Sequence, residues 1–264
     1  MMSRVGGHAP LARPNYSRPF TIVIPTLQRS TLLIELVRRL GESPLVHEIV
    51  VINNAAVAWP SPHPRCRVLN LPANIYVNPA WNLGVEEATT RYIGLCNDDV
   101  LFDPRILALI ARRLDRGAGI VGPASSCVRD VAGRRPVLCR RPVFVPAYER
   151  PYAFGTMMFL ERINYTPIPD DLLVWRGDDY LFRRQVSRNF MMYGIDVATH
   201  MSTTSSDPAF DAIKKADMTA FHNHYSDDPY RLRYWKEFRV TKSVRTVWYR
   251  ARKAATRRRE VENG

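Results

Sequence analysis

Three polar side chains follow one another at the end of a short apolar segment. Asn97, Asp98 and Asp99 come directly after residues 92–96, which read Tyr-Ile-Gly-Leu-Cys. The loss of solvation by carboxylates at the end of a buried strand is unfavourable unless a positive group binds them. In α/β sheets, ligands bind at these strand ends. The chemistry this predicts is a divalent cation that carries a diphosphate, because hard cations prefer carboxylate and phosphate oxygens.

A second acidic pair, Asp178 and Asp179, follows Trp175 at the predicted start of a helix. A carboxylate close to a hydroxyl can act as a general base, and partial burial beside the tryptophan would raise its pKa. Simpler readings stay open for both clusters. The pair can merely favour the positive end of the helix dipole, and residues 97–99 can merely cap a helix or form a turn.

Strands and helices alternate around these clusters. Strands are predicted at 20–24, 48–52, 66–69, 92–96 and 119–121, and helices at 31–40, 78–88, 104–114 and 178–188. Pro25 should stop the first strand, and residues 124–150 should form a variable loop region with room for a hairpin. This order predicts an α/β fold with a doubly wound, mainly parallel sheet flanked by helices.

Positive charge is concentrated at the two ends of the chain. Of the net charge of +13, residues 1–19 contribute three Arg and no acid, whereas residues 231–264 contribute twelve Lys or Arg against three Glu. We expect residues 1–19 to be a flexible leader and residues 231–264 to form a basic amphipathic helical tail. Four cysteines without metal-like spacing favour reduced thiols and a cytoplasmic location.

Four ordered pieces of the chain together resemble family-2 glycosyltransferases of the GT-A fold. They are residues 22–29, residues 50–54, Asn74 with residues 81–84, and residues 97–100. The resemblance covers about residues 20–205 and implies a nucleotide-diphospho-sugar donor, UDP or dTDP, with Mn²⁺ or Mg²⁺ as cofactor. It divides the body of the chain into a nucleotide-sugar-binding half, 20–123, and an acceptor and catalytic half, 124–230.

The resemblance also assigns site residues on the donor side. It places Pro25, Thr26, Arg29, Asn53, Asn82 and Asp98 at the nucleotide and Asp99 and His200 at the metal, with His222 and His224 as competitors for the metal role. Asn53 stands where the family usually has Asp, and Trp81 where many relatives have Arg. An asparagine can still pair with a pyrimidine edge, since it both donates and accepts hydrogen bonds.

On the acceptor side, the resemblance implies an inverting transfer in which Asp179 removes the proton of the acceptor hydroxyl. Asp178 is the second choice for this general base. The acceptor itself stays open among a glycan, a lipid-linked molecule, a protein and a modified DNA base. The basic tail can bind an anionic membrane surface or nucleic acid, or it can pack on the domain, so a peripheral membrane location also stays open.

Two other functions compete with sugar transfer. A nucleotidyltransferase also needs a doubly wound sheet and metal-binding carboxylates, but it usually has a glycine-rich loop after its first strand, and residues 25–29 contain no glycine. A nucleic-acid-binding protein with an inactive transferase core is the other alternative. Asn53 and Asn97 in place of acids leave this alternative open, whereas Asp99, Asp179 and His200 argue against it.

Overall fold

The computed structural model describes residues 19–130, 138–200 and 207–243. The predicted leader lies outside these residues except for Pro19, and so does the part of the predicted tail from 244 to 264. Within the described part, no helix has both the length and the apolar character needed to cross a membrane.

Strands and helices alternate along most of the chain. The strands are β1 (Phe20–Thr26), β2 (Val46–Asn53), β3 (Cys66–Asn70), β4 (Tyr92–Cys96), β5 (Val100–Leu101), β6 (Val121–Pro123), β7 (Val128–Asp130), β8 (Leu138–Ala147), β9 (Met157–Glu161), β10 (Asn189–Ile195) and β11 (Val197–Thr199). The α-helices are α1 (Leu33–Glu42), α2 (Val77–Glu86), α3 (Ile106–Asp115), α4 (Gly177–Arg184), α5 (Asp211–His224) and α6 (Pro229–Arg233). Residues 235–243 are helical again.

Eight strands form one mixed, mainly parallel sheet in the order β3-β2-β1-β4-β9-β6-β10-β8. Only β9 and β8 run antiparallel to their neighbours in this sheet. The chain moves outward from β1 to β2 and β3, then returns to place β4 on the other side of β1. The carboxyl ends of β1 and β4 therefore meet where the winding reverses, which is where doubly wound sheets bind ligands.

The sheet is buried on both faces. Along β1, Phe20, Ile22 and Ile24 pack into one apolar cluster, which also takes in residues of α1 and α3, while Val23 packs into a second cluster with residues of α2 and α4. Successive side chains of a strand point to opposite faces, so a strand covered on both sides is apolar throughout. This confirms the predicted α/β fold with helices on both sides of a mainly parallel sheet.

A small three-stranded sheet, ordered β5-β11-β7, lies beside the acidic motif. In its antiparallel register Thr199 pairs with Val100. His200 and Asp99 are therefore the next residues beyond that pair on their two chain segments. The small sheet thus brings the late histidine toward the end of β4, although the two lie far apart in sequence.

Two structural predictions were wrong, and one helix was not predicted. β1 continues through Pro25, which pairs with Ile52 of β2, because β4 accompanies β1 only as far as Val23 and the missing proline N–H falls on the open side. The region 124–150 contains β7 and the long strand β8, which pairs with β10 rather than forming a local hairpin. Helix α5 was not predicted, since only Asp217 and Phe221 of its residues are buried.

Candidate active site

The two acidic clusters face one cleft of about 440 Å³. Asp98 and Asp99 enter it from the end of β4, and Asp178 and Asp179 enter it from the first turn of α4. Further lining residues include Pro25, Trp81, Arg150, Tyr152, Trp175, Arg176 and Thr199. Carboxylates that are separated by about 80 residues in the chain thus share a single cavity.

On the β4 side of the cleft, the hydroxyl of Thr26 donates a hydrogen bond of 2.5 Å to Oδ2 of Asp98. Burial raises the pKa of Asp98 to about 6, with a smaller contribution from the charge of Asp99, although the Thr26 hydrogen bond opposes the shift. Asp99 itself is 8% exposed. Two neighbouring, poorly solvated carboxylates are a site where a bound cation would relieve both desolvation and mutual repulsion.

The donor set of this wall fits a hard divalent cation that has few protein ligands. Among the described residues, no group of three or more His, Cys, Asp or Glu is arranged to hold a metal. Mg²⁺, however, usually takes only one or two carboxylates and completes its shell with water and substrate phosphates. Asp99 lines the cleft, and His200 directly follows Thr199, which also lines it. These two residues could hold such an ion together with a diphosphate.

A smaller cavity of about 60 Å³ adjoins the cleft and shares Pro25, Val77, Asp98 and Val174 with it. Arg29, Asn54, Tyr76 and Phe210 are among its other lining residues. The Arg29 guanidinium donates to Asp207 at 2.8 Å and lies 5.7 Å from the centroid of the Phe210 ring. Aromatic rings beside polar groups in a narrow slot can hold a nucleoside.

Two predicted donor-side residues lie outside the lining of both cavities. Asn53 is fully buried, and its amide exchanges hydrogen bonds with Gln28, Val57 and Asn70 at 2.7 to 3.1 Å. The side-chain N–H of Asn82 donates to the carbonyl of Ile168 at 2.8 Å, and the side-chain oxygen of Asn82 accepts the backbone N–H of Ile168 at 2.9 Å. In this structure both side chains hold loops in place, and Asn54, the residue after Asn53, faces the smaller cavity instead.

On the α4 side of the cleft, two arginines hold the acidic pair. Arg150 Nε lies 2.8 Å from Asp179 Oδ1, and Arg150 Nη1 lies 3.0 Å from Asp178 Oδ2. Arg176 Nη1 reaches the other oxygen of Asp179 at 2.9 Å. Asp178 also accepts the backbone N–H of Asp179 at 2.9 Å. Asp179 is therefore doubly paired, whereas Asp178 has a single arginine partner.

These contacts separate the two carboxyl groups in acidity. Burial would raise the pKa of Asp179, but the charges and hydrogen bonds of Arg150 and Arg176 outweigh burial, so its pKa is lowered. Burial raises the pKa of Asp178, and the charge of Asp179 adds to the rise, while Arg150 opposes it only in part. Two titratable groups with opposite shifts in one cleft are typical of acid–base sites.

The loop that carries the acidic pair is fixed by Asp217 of α5. Its buried carboxylate accepts the backbone N–H groups of Leu173, Val174 and Trp175 at 2.8 to 3.0 Å. From the other side, the buried Asn78 donates to Leu172 O at 2.9 Å. The cleft residues that follow this loop are thus positioned by groups that do not line the cavity.

Backbone strain is concentrated around the cleft and the smaller cavity. In the described part, four non-glycine residues have positive φ, with angles of 58° to 69°: Gln28, Tyr76, Ala153 and Arg176. The last three line one cavity or the other, and Gln28 lies between the lining residues Leu27 and Arg29. Such conformations cost about 1–3 kcal/mol each and cluster at functional sites.

Sequence reasoning missed three residues that shape this site: Arg150, Arg176 and Asp217. Arg176 directly follows Trp175 and stands two positions before the acidic pair, so the sequence already shows a basic residue there. Arg150 and Asp217 carried no local signal, since their partners lie about 30 and 40 residues away. His200, in contrast, was predicted and follows a cleft residue, although it is not itself among the lining residues.

Comparison with known proteins identifies the family and the fold of the chain. The glycosyl transferase family 2 model matches residues 21–165. A search of curated proteins gave no significant match. Among solved structures, S. aureus TarS 1–349 in complex with UDP-GlcNAc has a TM-score of 0.54 at 12% identity, over 79% of this chain and 68% of that chain. At this identity the likeness shows the fold alone, which is of the GT-A type.

Two further TarS structures extend the comparison. S. aureus TarS 1–349 gives a TM-score of 0.50 at 12% identity over 68% of this chain, and S. aureus TarS gives 0.51 at 12% identity over 79% of it. The chain covers 60% of the first and 40% of the second. Because the family model spans more than half of the 264 residues, the chain belongs to glycosyl transferase family 2.

Proposed function

We propose that the protein is a metal-dependent, inverting glycosyltransferase that moves a sugar from UDP or dTDP to an acceptor hydroxyl. One observation carries the proposal. The carboxylates after β4 and those at the start of α4 line the same cleft of about 440 Å³, so a donor and an acceptor can meet between them. Family membership supports the reaction type, since the matched region includes the first of the two acidic clusters.

The donor would lie across the cleft and the smaller cavity. The structural neighbours with UDP and with UDP-GlcNAc support a uridine nucleotide sugar. Arg29, Asn54 and Tyr76 would contact the nucleoside, because they line the small cavity that joins the cleft at Pro25 and Asp98. Asp98, oriented by Thr26, would accept a hydrogen bond from a ribose hydroxyl.

The diphosphate would lie against Asp99. Asp99 and His200 would hold a Mn²⁺ or Mg²⁺ ion, which when bound supplies positive charge for the departing diphosphate. Trp81 also lines the cleft, and its buried indole N–H has no hydrogen-bond partner among the described residues. An unsatisfied buried donor is unusual and supports an anionic ligand nearby.

Asp179 would act as the general base. Its pairing with Arg150 and Arg176 keeps it ionised at neutral pH, so that it can accept the proton of the acceptor hydroxyl. The acceptor oxygen would attack the anomeric carbon as the bond to the diphosphate breaks on the opposite face. A single displacement of this kind inverts the configuration. Asp178 is the alternative base, because its raised pKa makes it the stronger one.

A binding panel tests the donor and the metal together. In the presence of Mn²⁺, UDP- and dTDP-sugars should raise the melting temperature selectively, and slow hydrolysis of one of them should be measurable. Asp99→Ala should abolish both effects. Asp103→Ala, which removes an acid outside the lining of the cleft, is the matched control. Stabilisation by nucleoside triphosphates alone would favour a nucleotidyltransferase, and binding of nucleic acid without any nucleotide would favour an inactive core.

A further inference from the structure

The C-terminal helical segment exposes apolar side chains among basic ones. We call the outer face the set Leu232, Trp235, Lys236, Arg239 and Val240. Leu232, Trp235 and Val240 are 75%, 47% and 64% exposed, although all three are apolar. Trp235, Lys236, Arg239 and Val240 lie in the helical stretch 235–243 at spacings of three or four residues, which puts them on one side of it, and Leu232 belongs to α6 just before it.

The inner side of the same segment is docked on the domain. Tyr230 is fully buried, and its hydroxyl donates to Ala147 O at 2.7 Å. Tyr234 packs on Tyr230 with ring centroids 4.9 Å apart, and Phe238 is 5% exposed. Trp235 of the outer face also takes part in this packing, since its ring stacks on that of Phe238 with centroids 5.5 Å apart, whereas Leu232 and Val240 remain largely exposed.

A neighbouring loop extends the exposed apolar surface. The side chains of Arg233 and Tyr234 donate to Val186 O at 2.9 and 3.0 Å, which brings that loop against the helical segment. The side chain of Val186 is itself exposed. Contiguous exposed apolar residues bordered by polar ones mark interaction surfaces more often than single scattered residues do.

The charge of this region is strongly positive. Residues 231–243 contain five Lys or Arg and one acid, Glu237. Glu237 is paired with Arg188 at 2.9 Å, so it does little to offset the outer face. Lys236 and Arg239 are exposed beside the apolar members. The partner that fits is therefore anionic and also offers an apolar phase.

We propose that the outer face docks on an anionic lipid surface. Aliphatic side chains such as Leu232 and Val240 gain free energy at the boundary between headgroups and acyl chains, while Lys236 and Arg239 contact the anionic headgroups. The phosphodiester backbone of a nucleic acid would attract the cations but would give the apolar side chains no favourable environment. The proposal is independent of sugar transfer, since no member of the outer face lines the cleft.

Vesicle binding of the full chain tests the proposal. The protein should cosediment with vesicles of mixed phosphatidylglycerol and phosphatidylcholine, more weakly at high salt, and not with phosphatidylcholine alone. Leu232→Ser with Val240→Ser should weaken binding by about tenfold or more. Ile34→Ser with Ile163→Ser, which also removes two exposed aliphatic residues, should have no effect.

The charge contribution has its own pair of variants. Lys236→Gln with Arg239→Gln should weaken binding by about fivefold per cation. Arg112→Gln with Arg116→Gln makes the same change in net charge on exposed positions near the end of α3 and should change binding less. The proposal is overturned if the Leu232 and Val240 variant binds as tightly as the unaltered chain. Equal binding to neutral vesicles, or preferential binding to duplex DNA, would overturn it as well.

Discussion

Arg150 donates its Nε hydrogen to Oδ1 of Asp179 over 2.8 Å, and this contact joins the loop after β8 to the first turn of α4. The same guanidinium also pairs with Asp178. A single arginine thus pairs with both carboxyl groups at the start of α4. The consequence can be measured as a pH dependence.

Arg150→Gln should move the acid limb of the kcat/KM profile to higher pH. In the unaltered chain the ion pairs hold the pKa of Asp179 below its ordinary value near 4, so Asp179 stays ionised down to acid pH. Without Arg150, only Arg176 opposes the effect of burial, so the pKa of Asp179 should rise by about one unit or more. The exposed Arg162→Gln is the control. An unchanged acid limb would mean that Asp179 is not the titrating base.

The same ion pair affects stability with a defined sign. A carboxyl group whose folded pKa is depressed stabilises the fold above its unfolded pKa, and the contribution disappears as the pH falls through the folded pKa. We expect the unaltered chain to lose more stability below pH 4 than Arg150→Gln does. Urea unfolding of both proteins at several pH values measures this difference.

Asp179→Asn should lower kcat by about 10²- to 10⁴-fold, because it removes a proton acceptor and keeps the shape of the side chain. The KM for the donor should stay nearly constant, since the donor would lie on the other wall of the cleft. Asp178→Asn is the matched variant one residue away and should lower kcat by less than about tenfold. Steady-state kinetics of the pair decide the assignment. The reverse ranking would make Asp178 the base.

Asp217→Ala should destabilise the fold and impair turnover together. It leaves three part-buried backbone N–H groups, those of residues 173–175, without their acceptor, and each unsatisfied group costs up to about 1–3 kcal/mol. Asp211→Ala, an exposed acid at the start of the same helix, should change the free energy of unfolding by less than about 0.5 kcal/mol. Denaturant unfolding and kcat measured on both variants would separate the two outcomes.

Arg29→Gln should weaken UDP binding by about tenfold, as expected for the loss of one charged contact to an anionic nucleotide. Its ion pair with Asp207 is half exposed, so breaking that pair should change stability by less than about 1 kcal/mol. Asp207→Asn breaks the same pair from the other side and should bind UDP nearly as tightly as the unaltered chain. Calorimetry on the two variants tests this. Equal losses in both would mean that Arg29 acts only through Asp207.

The fold was largely predictable because β1 and β4, which are neighbours in the sheet, are almost entirely apolar and the first helices are amphipathic. The acidic motif was placed correctly at the end of β4, since a strand that leads directly into carboxylates is a local pattern. Helix α5 was not predicted because it buries little apolar surface. It is held mainly by the hydrogen bonds that Asp217, a charged residue, accepts from residues 173–175. A helix held by hydrogen bonds to a loop leaves almost no hydrophobic periodicity in the sequence.

The site was predictable only where its geometry is local. Asn53 was assigned to the nucleotide, whereas Asn54 lines the small cavity. Consecutive residues at a strand end point in opposite directions, so a shift of one position exchanges an interior residue for a cavity residue. Arg150 could not be found at all, because its approach to Asp179 depends on how β8 and its following loop lie against the rest of the fold.

The bonds between Asp217 and residues 173–175 have a consequence for engineering. The family match ends at residue 165, so the acidic pair, its loop and α5 all follow it in the chain. Anyone who transplants the acceptor side into a related scaffold must move the loop and α5 as one cassette. A graft that carries the loop alone would leave the backbone N–H groups of residues 173–175 without an acceptor, and the positions of Asp178 and Asp179 would no longer be fixed.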